Sequence, residues 1–263
     1  MPKRFHINYI VYVMLAVIPA ILYLLWVPRF PQWQSYHKFS DSRVFWMIPN
    51  FADVISNGLF LSFGIYGLIL LVKNKNSLTN KPDTFVYSLL FIAIILTGIG
   101  STYYHLSPNN ATLVWDRIPM TVIFMTLLSL TIMQRIHPKL GLYLLLPFIV
   151  LGVFSVVYWY ATELAGVGDL RPYALVQFYA MFIIVAILVL FRKPYPPTTA
   201  YLYVGFFYIL AKLAEYYDRF IFDHFKLLSG HTIKHVAAAI GCYGFVMMVK
   251  AQIKRRANEN SFE

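Results

Sequence analysis

Long apolar runs broken by short polar connections dominate the chain. Eight of them are long enough to span a bilayer core of ~30 Å as helices: about 7–27, 51–73, 84–105, 115–135, 140–161, 173–192, 200–218 and 231–250. The expected fold is all-α, a polytopic bundle of membrane helices. Arg192-Lys193-Pro194, followed by Pro196-Pro197, ends the sixth run, because proline lacks the donor a helix needs. The longest connection, about 28–50, holds Pro28, Pro31 and several aromatics before Asp41-Ser42-Arg43. Neither an internal repeat nor a low-complexity tract breaks the order.

Composition agrees: 59% of residues are hydrophobic and 13% charged, against roughly a quarter charged in a soluble domain. A net charge of +11 could indicate nucleic acid, but the basic residues sit in the short loops, where they orient a membrane protein. Lys3, Arg4, Lys73, Lys75, Lys81, Arg135, Lys139, Arg192, Lys193, Lys250 and Lys254 to Arg256 fall on one side. The other side holds Arg29, Lys38, Arg43, Arg117, Arg171, Arg219 and Lys226, which is fewer. The bias predicts eight spans with both termini cytoplasmic. The first run follows Met1-Pro2-Lys3-Arg4 and has no A-x-A-like site after it, so a retained helix is expected rather than a cleaved signal peptide. The single cysteine, Cys242, excludes an intrachain disulfide and a multi-cysteine metal site.

Polar residues then concentrate at one face. Ser101 and His105 lie four apart at the end of the third run, on one helical face. Asp116 opens the fourth run, and His231 and His235, again four apart, open the eighth. Ser56, Asn57, Lys212, Glu215 and Asp218 arrive at a similar depth, all toward the non-cytoplasmic side. Lys212 and Glu215 could also be no more than an ion pair. An H-x-x-x-H pair alone is a weak signal; the convergence of other ionisable groups strengthens it, since such groups are costly in a membrane span. Three histidines suit zinc with a fourth position open for water. Asp116 could take a proton from that water or orient it, and Ser101 could donate to a developing oxyanion. His6, His37, His137 and His224 read as interfacial residues that meet water.

Asn50 to Asn57, Gly98-Ile99-Gly100-Ser101 with His105, Asp116-Arg117-Ile118-Pro119-Met120, and His231 with His235 together resemble the alkaline ceramidase family of the CREST superfamily. The likeness runs from about residue 41 to 250. It implies a seven-span hydrolase domain at 31–250, preceded by an added transmembrane helix at 1–30 and followed by a polar, frayed tail at 251–263. By position it implies zinc on His105, His231 and His235, catalytic roles for Ser101 and Asp116, and cleavage of a ceramide amide to a long-chain base and a fatty acid. The family also carries an acidic calcium-binding stretch. Here the matching segment has no glutamate, though Asp41, Asn50 and Asp53 could offer oxygens to Ca2+. The expected partners are a membrane lipid substrate and the bilayer, not nucleic acid. Two other readings stay open: hydrolysis of a phospholipid or other lipid ester by the same apparatus, or a non-catalytic receptor whose metal is structural.

Overall fold

The structure, a computed structural model, describes residues 14, 17–75, 81–193 and 196–260. The described residues form helices joined by short turns, with a lone bridge between Phe45 and Ile48. Helix α1 is Val17–Trp26; the earlier part of the expected first span lies outside the described residues. Then come α2 (Phe51–Lys73), α3 (Lys81–Leu106), α4 (Asn110–Arg135), α5 (Pro138–Leu164), α6 (Arg171–Leu190), α7 (Thr198–Tyr216), the short α8 (Asp218–Phe225) and α9 (Gly230–Asn260). Six of these, α2 to α6 and α9, are long and apolar enough to cross a membrane. Eight spans were expected. Helix α7 has 19 residues but carries Lys212 and Glu215 in its last turns. Helix α9 continues to Asn260, so the stretch expected to fray is helical as far as that.

Local sequence sets the ends that matter. Asn109 begins α4 with a reciprocal capping box, accepting from the Thr112 amide at 3.0 Å while the Thr112 hydroxyl accepts from the Asn109 amide. Ser229 begins α9, its hydroxyl accepting from the Thr232 amide at 3.0 Å. Arg171 donates to the carbonyls of Leu24 and Val27, tying the end of α1 to the start of α6. Its guanidinium also grips Asp169, and that hydrogen bonding holds the Asp169 carboxyl below the usual carboxylate range.

Packing follows chain order for most of the bundle: α2 on α3, α3 on α4 and α4 on α5, with α9 packed on α7 and on α2 and α6 lying against α4. Phe60, Leu90, Phe91, Ile94, Phe124, Leu127 and Phe245 fill the interior. Outward faces are apolar as well. Leu146, Val150, Phe154 and Val157 make one exposed stripe along α5, between 50% and 68% exposed, where a soluble helix would carry charge. The membrane is the solvent that fits such a stripe.

Two close approaches fix the end of the bundle that holds the polar residues. Pro119 has no amide proton, so the Trp115 carbonyl four residues earlier loses its helical partner, and Gly100 of α3 packs directly against that carbonyl. Gly230 sits equally close to the Ala214 carbonyl and to Asp218, docking the start of α9 on the α7–α8 turn.

Candidate metal centre and lipid cavity

His105, from the last turn of α3, meets His231 and His235, from the first two turns of α9. All three are buried, and their ligand-type nitrogens lie within 4.8 Å of one another. Ring centroids are 4.8–4.9 Å apart. Among the described residues this is the group of three His, Cys, Asp or Glu side chains that could hold a metal ion. Helix ends that the charge bias placed on one side are therefore side by side in space.

The hydrogen bonds around the rings decide which nitrogens are available. A break in α2 at Asn57 is the key. The Asn57 amide turns to the Val54 carbonyl, leaving the Asp53 carbonyl without its helical donor. That carbonyl instead accepts from the Ser56 hydroxyl at 2.9 Å, the Asn57 amide side chain at 2.9 Å and His235 Nδ1 at 3.1 Å. The Ser56 oxygen also lies 2.9 Å from the same Nδ1. A carbonyl can only accept, so these partners assign the His235 proton to Nδ1 and leave Nε2 with a free lone pair. Both ring nitrogens of His105 are buried with no hydrogen-bond partner. Leaving two such atoms unsatisfied costs roughly 1–3 kcal/mol apiece, so a ligand-seeking role accounts for His105 better than packing does. His231 is held through its backbone amide, which donates to Asp218 Oδ1 at 2.7 Å, while its Nε2 lies 3.3 Å from Lys234 Nζ. The donor set, three neutral imidazoles with one tautomer fixed by an outer partner, fits a divalent metal such as zinc.

A cavity of about 390 Å3 opens beside the cluster. Ser101, Asp116 and His235 line it at the end that holds the histidines. Phe60, Phe124, Leu127, Val204, Cys242 and Phe245 line it deeper in the bundle. One end is polar and the rest apolar, as an amphipathic lipid requires.

The segment before α2 closes over the polar end, and sequence reading missed it. The Phe39 ring packs against His105 and His231 with centroids 4.5 and 4.7 Å away. His37, expected to be an interfacial bystander, instead bridges Tyr104 Oη and Asn110 Oδ1 at 2.9 Å each. Its partial burial depresses its pKa, against the opposing pull of the Asn110 hydrogen bond. Tyr36 Oη donates to Glu215 Oε1 at 3.3 Å. A signal existed in the density of aromatic and polar residues from Phe30 to Phe39, too many to waste on a plain linker.

Charged groups also line the cavity. Glu215 is shared by Lys212 and by Lys234, the latter at 2.8 Å, so the ion pair read from the sequence gains a second cation from α9. Arg117 is 4% exposed and makes no ion pair with a described carboxylate. Its Nη2 donates to Gln32 Oε1, and Nη1 has no partner. Trp159 and Tyr173 face its guanidinium at 4.3 and 4.5 Å. Cation–π contact supplies ~0.5–2 kcal/mol, and a hydrogen bond to a charged group adds ~1.5–3 kcal/mol that Nη1 does not collect.

Asp41, Asn50 and Asp53, the expected oxygen donors for calcium, each make a hydrogen bond within the protein. Asp41 accepts from the Arg43 guanidinium through both oxygens at 2.7 Å. Burial would raise its carboxyl, but those hydrogen bonds hold it below the usual range. Asn50 donates its side-chain amide to the His105 carbonyl at 2.8 Å. Asp53 Oδ1 accepts from the Thr232 hydroxyl at 2.6 Å, and Oδ2 has no partner.

A polytopic helical bundle with a buried three-histidine cluster beside a largely apolar cavity defines a class of membrane protein with a candidate metal centre at the head of an apolar ligand cavity. A model of the ceramidase family matches residues 40–262, and the chain belongs to that family. No curated protein matches the chain. Membership carries hydrolysis of ceramide-type amides and metal dependence as the family's chemistry.

Proposed function

We propose that the protein is a zinc-dependent membrane amidase that cleaves ceramide or a related lipid amide to a long-chain base and a fatty acid. The observation that carries it is the His105–His231–His235 cluster, with both His105 nitrogens unpartnered, at the polar end of a lipid-shaped cavity. These histidines would hold the metal, which supplies a Lewis acid that makes water nucleophilic near neutral pH. Asp116 accepts the proton released as water attacks the amide carbonyl and returns one to the departing amine nitrogen. The Ser101 hydroxyl donates to the oxygen on which negative charge develops. Phe60, Phe124, Leu127 and Phe245 receive acyl carbons, which removes the reacting carbonyl from bulk water. Phe39 and the His37 bridge shield the histidines from the aqueous side. The charge asymmetry of the loops supports cytoplasmic termini, with the site toward the opposite face. The start of the family match at residue 40 supports an added helix before a seven-span catalytic domain.

The test is purification in detergent followed by metal analysis and assay on an N-acyl sphingoid base. Near-stoichiometric zinc and release of fatty acid are expected, both lost in His105→Ala. A metal-free wild type, or amide hydrolysis that survives His105→Ala, would refute the proposal.

A further inference from the structure

Two ammonium groups, Lys212 and Lys234, share the single carboxylate of Glu215 on the cavity wall. The ring of Tyr36 spans from that group to Arg117: its hydroxyl bonds Glu215 Oε1 at 3.3 Å, and its face lies 5.7 Å from the Arg117 guanidinium carbon. Arg117 lines the same cavity without a carboxylate partner and with Nη1 unsatisfied. Asp116 is the other acid on the cavity wall. The head end of the cavity thus presents three cations, Arg117, Lys212 and Lys234, against two carboxylates, Glu215 and Asp116, with the Tyr36 ring between Arg117 and the Glu215 group. A neutral head bearing only hydroxyls would leave this excess uncompensated; an oxyanion would complete it with charge-assisted hydrogen bonds.

From this juxtaposition we infer that the preferred substrate is a lipid amide whose head carries an oxyanion (phosphate, sulfonate or carboxylate), held between Arg117 and the Lys212–Lys234 pair. The inference rests on the amidase reading for its reaction but not for its binding site. Arg117, with its planar fork in an aromatic cage, takes two oxygens of the anion. Lys212, the more exposed of the lysines, takes a third by releasing part of its hold on Glu215.

The test compares an N-acyl sphingoid base with its phosphorylated counterpart at the same acyl length, using full-length protein in nanodiscs. The phosphorylated lipid should be cleaved with kcat/KM about tenfold higher or more. Arg117→Gln and Lys212→Gln should each lower that ratio by about tenfold, with Arg117→Lys intermediate. A ratio at or below one in the wild type, or one unmoved by either glutamine variant, overturns the inference and leaves the amidase reading standing. Should neither lipid be cleaved, the amidase reading falls and binding decides. Dodecyl phosphate should then raise the melting temperature of wild type more than dodecanol does, with the difference lost in both glutamine variants. Equal shifts from the two compounds overturn the inference. So does an equal shift from inorganic phosphate, which would mark a site for the free ion, or from dodecanoate in both wild type and Arg117→Gln. Lys212→Gln, on the cavity wall, remains readable if Arg117→Gln fails to fold.

Discussion

Substituting Gly100 by alanine probes whether the site depends on how closely α3 approaches α4. A Cβ there would fall inside the contact envelope of the Trp115 carbonyl, 2.7 Å from its carbon, whereas ordinary contact begins near 3.4 Å. The neighbour is backbone, so it cannot swing away as a side chain would. The helices must part by roughly 1 Å. Overpacking of this kind costs about 1–3 kcal/mol, against up to ~1 kcal/mol regained from alanine's better helix propensity. Stability should therefore fall only modestly. Catalysis should suffer more, because Ser101 follows Gly100 and Asp116 follows Trp115 in sequence. A displacement of that size between groups acting on one carbonyl costs on the order of 100-fold in rate. The assay pairs the melting temperature in detergent with kcat/KM on the lipid amide. Gly205→Ala in α7 serves as control, because its Cβ would meet nothing within 4 Å. The reasoning is refuted if Gly100→Ala keeps its rate within about threefold of wild type, or if Gly205→Ala loses as much.

Other outcomes follow from the same geometry. Chelation should abolish hydrolysis and zinc should restore it, whereas magnesium, which favours oxygen ligands, should not; rescue by magnesium would argue against an imidazole site. Ser56→Ala removes one of two acceptors around His235 Nδ1 but spares the Asp53 carbonyl, so metal affinity should drop by about tenfold, read by competition with a chromophoric chelator. His37 has a folded pKa below its ordinary value of 6.5 because of burial, so its contribution is intact above that pH and is lost as pH falls through the folded value. Protease nicking of the 30–40 segment should accordingly rise on acidification, and His37→Gln should flatten that dependence; an unchanged slope would remove His37 as the cause.

Much of the bundle and the centre of the site could be read from the chain itself. Runs of about twenty apolar residues, i, i+4 spacing and the lysine and arginine bias of the loops placed His105, His231 and His235 at one face before any contact was known. The run at 200–218 reads as a span from its apolar residues, and as α7 it carries Lys212 and Glu215 on the cavity wall. Lys234 fell within a span, and nothing in its neighbours reveals that it pairs with a carboxylate 19 positions away. The Phe39 and His37 contacts were equally hidden, since a loop's docking surface is made by helices distant in sequence. The break at Asn57 left no periodicity to detect, although the freed carbonyl it creates is what orients His235.

That freed carbonyl belongs to the main chain. Side-chain exchange at residue 53 can change the carboxylate but cannot delete the acceptor that fixes the imidazole proton. The protonation pattern of His235 is thus inherited from the path of α2 rather than from any one residue's identity. Selection could vary residue 53 to suit different lipids while the ring keeps the same nitrogen turned toward its neighbours. Only a change that straightens α2 through Asn57, returning the carbonyl to its helical donor, would withdraw that support.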